Sequence, residues 1–314
     1  MGANDTSMRP GVVQLLALCA LNEVDWSLLA REALRPDGLR SLLAGTITER
    51  RASQENRRGL KRSLEVGLPI AETAERLSTW RKAGLRLSTV LDDDYPLNLR
   101  TIPNLPPFLF YRGKLQTDDA FSVAVVGTRE ATNDGLERAR RMARLLAQRK
   151  VTVLSGLARG IDTAAHEATL DAGGRTIAVL GSGLLKVYPP ENRSLADRIA
   201  ESGAVVSQFW PDAPPAKYNF PRRNIVTSGL GQGTVVIEAS ATSGAKMQAR
   251  LALEHGKLVF ILRSLVETHK WARDYVGRGA IAIDSADSVI SHLRTVESIR
   301  RATAQQRTLA LEFA

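Results

Sequence analysis

Residues 121–160 read FSVAVVGTREATNDGLERARRMARLLAQRKVTVLSGLARG. Two short apolar runs, Val123-Ala124-Val125-Val126 and Val151-Thr152-Val153-Leu154, each stop at glycine: Gly127 in the first case, Gly156 after Ser155 in the second. A basic segment of helix length joins them. Apolar runs this short, closed by glycine, suit strands covered on both faces, as parallel strands are. Two β-α units in succession make a doubly wound α/β sheet the expected fold. Ligands of such sheets lie beyond the carboxyl ends of the strands. Here those ends carry Gly127-Thr128-Arg129 and Ser155-Gly156-Leu157-Ala158-Arg159-Gly160. Each sets an arginine beside a glycine turn, where a guanidinium can fork onto two phosphate oxygens. Backbone N–H groups at the next helix start would add to the same anion site.

The alternation continues towards the C-terminus. Residues 161–172 suit a helix ending at Gly173-Gly174. Strands are expected at 176–180, 204–207, 233–238 and 257–262, helices at 191–202, 219–230 and 243–255, then an edge strand at 280–283 and a helix at 285–294. Beyond 294 only a short charged tail, 294–314, is expected. Towards the N-terminus, residues 85–90 and 108–113 read as short strands that extend the central sheet across a proline-rich connection. Residues 1–85 carry apolar positions at helical spacing (Val13, Leu15, Leu16, Leu18, Leu21) and read as a small all-α domain. Its arginines, Arg50, Arg51, Arg57, Arg58 and Arg62 with Lys61, either touch nucleic acid or form a solvated face.

The chain has 314 residues and a formal net charge of +10. That allows about two domains and points towards polyanionic partners. Cys19 is the single cysteine, which excludes a disulfide framework or a zinc cluster and fits a reducing cytoplasm. The opening MGANDTSMRPGVVQLLALCAL lacks a basic leader and cleavage site, so it reads as a helix of the mature protein. No run reaches the ~20 apolar residues of a membrane span, and no metal site is expected.

Several further motifs fall in a fixed order around this core: Tyr95-Pro96, Pro106-Pro107 leading to Tyr111 and Gly113, Ile161-Asp162 leading to His166, Tyr188-Pro189-Pro190-Glu191-Asn192, Phe220-Pro221-Arg222-Arg223-Asn224, and Val236-Ile237-Glu238-Ala239 leading to Ser243-Gly244. Over about residues 86–293 the chain resembles the DprA/Smf family, DNA-processing protein A. The resemblance implies an extended Rossmann-like core behind a helical, SAM-like domain, and a cytoplasmic recombination mediator without catalytic activity or cofactor. It implies single-stranded DNA, a RecA-type recombinase and a second copy of the chain as partners. The chain departs from the family pattern at Gln208, at Ile225, in Ser243-Gly244-Ala245-Lys246-Met247-Gln248-Ala249 and at Leu262-Arg263-Ser264, and it is expected to lack the C-terminal winged helix of many members.

The expected groove follows the carboxyl edge of the sheet. Arg129, Arg159, Arg222 and Arg223 hold phosphates there, and the turns at Gly127-Thr128, Ser155-Gly156, Gly160 and Gly181-Ser182 let the strand approach. Asn224 and the helix start at Ser243-Gly244 complete it. Phe220 either stacks on a base or fills the core. Asp162 and His166, four residues apart, pair with each other or with Arg159. Glu238 is a possible pocket acid. It would serve a nucleotide hydrolase or nucleotide sensor of the lysine-decarboxylase-like type, or else cap a loop or pair with Arg223.

Overall fold

The computed structural model describes residues 9–312, so residues 1–8 of the expected opening helix lie outside the described residues. Five helices come first: α1 (Pro10–Leu21), α2 (Trp26–Ala33), α3 (Gly38–Leu43), α4 (Gln54–Val66) and α5 (Ile70–Lys82). The apolar residues of α1 bury almost all round, Cys19 among them, and proline at its first position supplies the helical φ without wasting a donor. Asp25 caps α2 by accepting from the Leu28 N–H at 2.9 Å.

Strands β1 (Arg86–Thr89) and β2 (Phe108–Gly113) follow. Next come β3 (Ser122–Gly127), α6 (Asn133–Gln148), β4 (Thr152–Ser155), α7 (Ile161–Asp171), β5 (Thr176–Val179), α8 (Arg193–Ser202) and β6 (Ala204–Ser207). The chain continues with α9 (Asn219–Leu230), β7 (Gly233–Glu238), α10 (Gly244–Glu254), β8 (Leu258–Leu262), α11 (Arg263–Thr268), α12 (Lys270–Val276), β9 (Ile281–Ile283), α13 (Ala286–Ile290) and α14 (Val296–Glu312). All nine strands form one sheet in the order β1-β2-β6-β5-β4-β3-β7-β8-β9. Its central pairs are parallel, and β1 and β2 join antiparallel at one edge. Strands β3 to β7 are buried from end to end apart from the last residues of β3 and β7, as the near-continuous apolar runs require.

From β3 the chain steps one way through β4, β5 and β6. It then returns to place β7 on the other side of β3. The order therefore reverses between β3 and β7, and a crevice opens there beyond the strand ends. Helices α6 and α7 cover one face. The buried side of α6 (Ala139, Met142, Ala143, Leu146) packs with Val123, Val125 and Val235. The expected Rossmann-like, mostly parallel sheet with helices ahead of it is what the chain forms.

The N-terminal helices dock on the antiparallel edge through an aromatic cluster. The Trp210 ring lies 4.8 Å from Phe108 and 5.8 Å from Trp80, centre to centre, with Trp26 and Phe110 close by. Rings at these separations contribute beyond their buried area. Two features differ from the sequence reading. Residues 263–276 hold the short helices α11 and α12, and the stretch read as a charged tail contains α14, which buries Ile299 and Thr303. Among the described residues no helix is long and apolar enough to cross a membrane.

Candidate nucleic-acid interface

A cavity of about 390 Å³ occupies the crevice beyond β3 and β7. Loop residues 127–130 form one wall, and Phe220, Arg223 and Asn224 of α9 form another. Gly244 and Gln248 of α10, with its capping residue Ser243, close the third side. The positive end of α10 opens here, with the Ser243 hydroxyl capping the helix by accepting from the Ala245 N–H.

The floor is built from the turn after β4. Asp162, in the first turn of α7, is buried and accepts from Gly156 N–H at 3.1 Å and Ala158 N–H at 3.4 Å. Across the floor, Arg223 Nη1 lies 3.8 Å from an Asp162 oxygen, an ion pair too long for a hydrogen bond. The Arg223 side chain is only 8% exposed, and its Nε is buried without a partner. It lies flat against Gly156: a Cβ there would sit 1.2 Å from Arg223 Nη1. The alternative pairings of Asp162 are thereby corrected: its cationic neighbour is Arg223, neither His166 nor Arg159. His166 is fully buried, and its Nδ1 meets the Thr176 hydroxyl at 2.7 Å.

Four charged side chains line this space, Arg129 and Arg223 with Glu130 and Asp162. Burial pushes the Arg223 guanidinium below its usual range, Asp162 lifts it, and the nearby charge of Arg129 lowers it again. Burial raises the Asp162 carboxyl, and Arg223 acts against that rise. Arg129 is exposed and stands over the Phe220 ring, 5.1 Å from its centre. Its loop is pinned by Gly160, whose φ of 73° and close approach to the carbonyls of Thr128 and Arg129 (2.5 and 2.6 Å from a Cβ) leave room for no side chain. Two guanidiniums thus face one cavity, with one carboxylate buried beneath them, Asp162, and one exposed on the wall, Glu130.

The structure brings together Gly127, Thr128, Arg129, Phe220, Arg223, Asn224, Ser243 and Gly244 around this cavity. Ser155, Gly156 and Gly160 serve behind it; the Ser155 hydroxyl is buried and donates to the Val125 carbonyl. Gly181 backs the Phe220 ring, while Ser182 turns inward and donates to the Lys186 carbonyl. One groove carrying all four arginines is not formed. Arg159 pairs with Glu191 on the outside. Arg222 faces a separate groove, over the rings of Trp26 and Phe209 at 5.6 Å, with Glu23, Asp25 and Glu55 along its walls. Glu238 is not paired with Arg223; its carboxylate accepts from the Thr132 hydroxyl at 2.8 Å and from the Thr132 N–H, which ties β7 to the start of α6. The sequence reading missed Gln248. With its amide oriented by its neighbours, it donates to the Asn224 carbonyl and accepts from the Ser228 N–H, both at 3.1 Å. A polar residue on the buried stripe Ala245, Gln248, Ala249, Ala252 of α10 was the available signal.

Residues 86–294 match the family model for DNA recombination-mediator protein A. The chain belongs to this family. It is 41% identical over 206 residues to Protein Smf of Escherichia coli strain K12, a match that covers 64% of this chain and 54% of that relative. The chain thus spans about half the length of that protein. The X-ray structure of DNA processing protein A (DprA) from Streptococcus pneumoniae superposes with a TM-score of 0.75 at 29% identity, covering 90% of this chain and 98% of that one. A structure of DNA processing protein A from Helicobacter pylori, described in terms of its single-stranded DNA binding mode, matches with a TM-score of 0.58 at 27% identity over 66% of this chain and 94% of its own.

Proposed function

We propose that this chain binds single-stranded DNA in the cavity beyond β3 and β7 and acts as a recombination mediator, making and breaking no covalent bonds. One observation carries the reading: Arg223 is buried, has no hydrogen bond from its guanidinium among the described residues, and shares the cavity with Arg129. A buried cation left so short of partners is costly unless an anion completes it. A phosphodiester between the two guanidiniums supplies that anion, and the turn at Gly156 lets the backbone come close. Phe220, with the Arg129 guanidinium above it, offers a stacking surface to a base. The family description, DNA recombination-mediator protein A, and the single-stranded DNA binding named for the Helicobacter pylori protein support the same ligand.

The rest of the reading follows the family. The chain works in the cytoplasm as a homodimer and passes single strands to a RecA-type recombinase. The helical unit of residues 1–85 and the core of residues 86–293 act as distinct modules, in keeping with a family match over 86–294. Fluorescence anisotropy with labelled oligothymidylate tests the DNA site. Arg129→Ala with Arg223→Met lowers affinity and flattens the log–log salt dependence by about 0.7, for the one phosphate that the two guanidiniums share. A folded double variant that binds with wild-type affinity and slope refutes the assignment. Sedimentation velocity tests the dimer, and a strand-exchange assay with a RecA-type protein tests the loading role.

A further inference from the structure

Helix α6 starts at the wall of the cavity and leads away from it. Its capping residue Thr132 holds Glu238 at the end of β7, and its buried side is fixed against the sheet. The opposite side carries Arg138, Arg141 and Arg144, all exposed. Arg138 and Arg141 stand one turn apart and line a groove of about 280 Å³ between α6 and the ends of β8 and β9. Arg263 lines the same groove, but its charge is taken by Asp284 at 2.8 Å. Arg138 reaches only a neutral partner, the Ser264 hydroxyl at 3.1 Å. Arg141 and Arg144 have no hydrogen bond or ion pair among the described residues. Of the other acids near these arginines, Glu137 is matched by Arg140 at 2.5 Å and Asp287 by Arg149 at 2.9 Å, while Asp134, one turn before Arg138, lies outside the groove lining. The groove therefore keeps two uncompensated positive charges from Arg138 and Arg141.

We infer that this groove is a second nucleic-acid contact, which takes the sugar-phosphate backbone of the strand leaving the cavity. The inference rests on the DNA reading above. From residue 133 to residue 141 the helix advances about 12 Å, at ~1.5 Å per residue, so a strand held at Arg223 reaches the groove only if it extends past the cavity. Arginines one turn apart, with no base-reading surface between them, hold phosphates and carry no sequence preference. Oligonucleotide length should therefore separate the two contacts.

The test compares Arg138→Ala with Arg141→Ala, in the full chain, on a short oligothymidylate that fills the cavity alone and on a long one. Binding of the short oligomer stays as in wild type. On the long oligomer the salt slope falls by about 1.4, so a four-fold rise in salt costs the variant about seven-fold less affinity than it costs the wild type. Arg138→Lys with Arg141→Lys retains the wild-type slope, because charge is what the groove supplies. Ser264→Ala removes the Arg138 hydrogen bond without removing charge and leaves both oligomers unaffected. An unchanged slope on the long oligomer in a folded double alanine variant overturns the second contact, and so does equal loss on both lengths. Wild-type protein that fails to bind the short oligomer instead overturns the cavity as the primary site, which is a separate result.

Discussion

Gly156→Ala isolates the contact on which the DNA reading rests. The added Cβ would sit 1.2 Å from Nη1, 2.1 Å from Cζ and 2.5 Å from Nη2 of Arg223, and those are the three nearest atoms it meets. Gly156 is not among the positive-φ glycines, so alanine fits the backbone and the clash falls on one flexible side-chain end. Ordinary van der Waals contact begins at 3.4 Å, so Nη1 must retreat by about 2 Å, which takes it out of line with Asp162 and the cavity. A charge-assisted hydrogen bond is worth ~1.5–3 kcal/mol, so affinity for oligothymidylate should fall by about 10- to 150-fold. Stability should fall by about 1–3 kcal/mol, since Asp162 loses its cation but keeps two backbone donors. Anisotropy titrations and urea unfolding of Gly156→Ala, Arg223→Met and the double variant close a thermodynamic cycle. If the contact is the route, Gly156→Ala costs little further affinity once Arg223 is gone. Losses that simply add would show that Gly156→Ala acts by a route other than Arg223, and full binding by folded Arg223→Met would show that Arg223 does not hold the DNA.

Phe220→Ala removes the stacking surface under Arg129 and should weaken single-strand binding by about 1–3 kcal/mol, read by the same titration. Acid should destabilise the fold through His166, which burial holds near a pKa of about 3 against an ordinary 6.5. Between those values the unfolded chain takes a proton that the folded chain refuses, so stability falls as pH drops, with a slope approaching ~1.4 kcal/mol per pH unit. His255, lowered to about 4, acts in the same direction, while Asp162, raised by burial, opposes both where its own window overlaps. His166→Gln should flatten the urea midpoint against pH below 6.5, and an unaltered profile refutes the assignment. Trp210→Ala opens the aromatic joint between the N-terminal helices and the sheet and should cost about 3–5 kcal/mol in urea unfolding. Glu238→Ala loosens the tie to Thr132 and leaves oligonucleotide affinity near wild type. Incubated with nucleoside monophosphates, the wild-type protein should release no free base by chromatography, and release that depends on Glu238 would revive the hydrolase alternative.

The fold was legible because burial on both faces leaves a mark in the chain itself. Runs such as Val123 to Val126 and Val235 to Ile237 cannot face water and are too short for helices, so they declare parallel strands. Glycine turns at their ends mark the carboxyl edge of the sheet, where ligands of such sheets lie. Short helices such as α11 and α12 were not legible, because six or seven residues span too few turns for a period to show. The arginines divide in the same way. Their identity and their approach to the carboxyl edge lay in the sequence, but their partners did not. Arg222 and Arg223 are neighbours on α9, and ~100° of rotation per residue sends one to the groove beside Trp26 and the other to the floor against Gly156. Arg159 meets Glu191 across 32 positions, and Arg223 meets Asp162 across the sheet end. Local chemistry fixes which groups a strand end can offer. Which charge stays open for a phosphate depends on the carboxylates that distant segments bring within reach, and only the closed tertiary structure decides that.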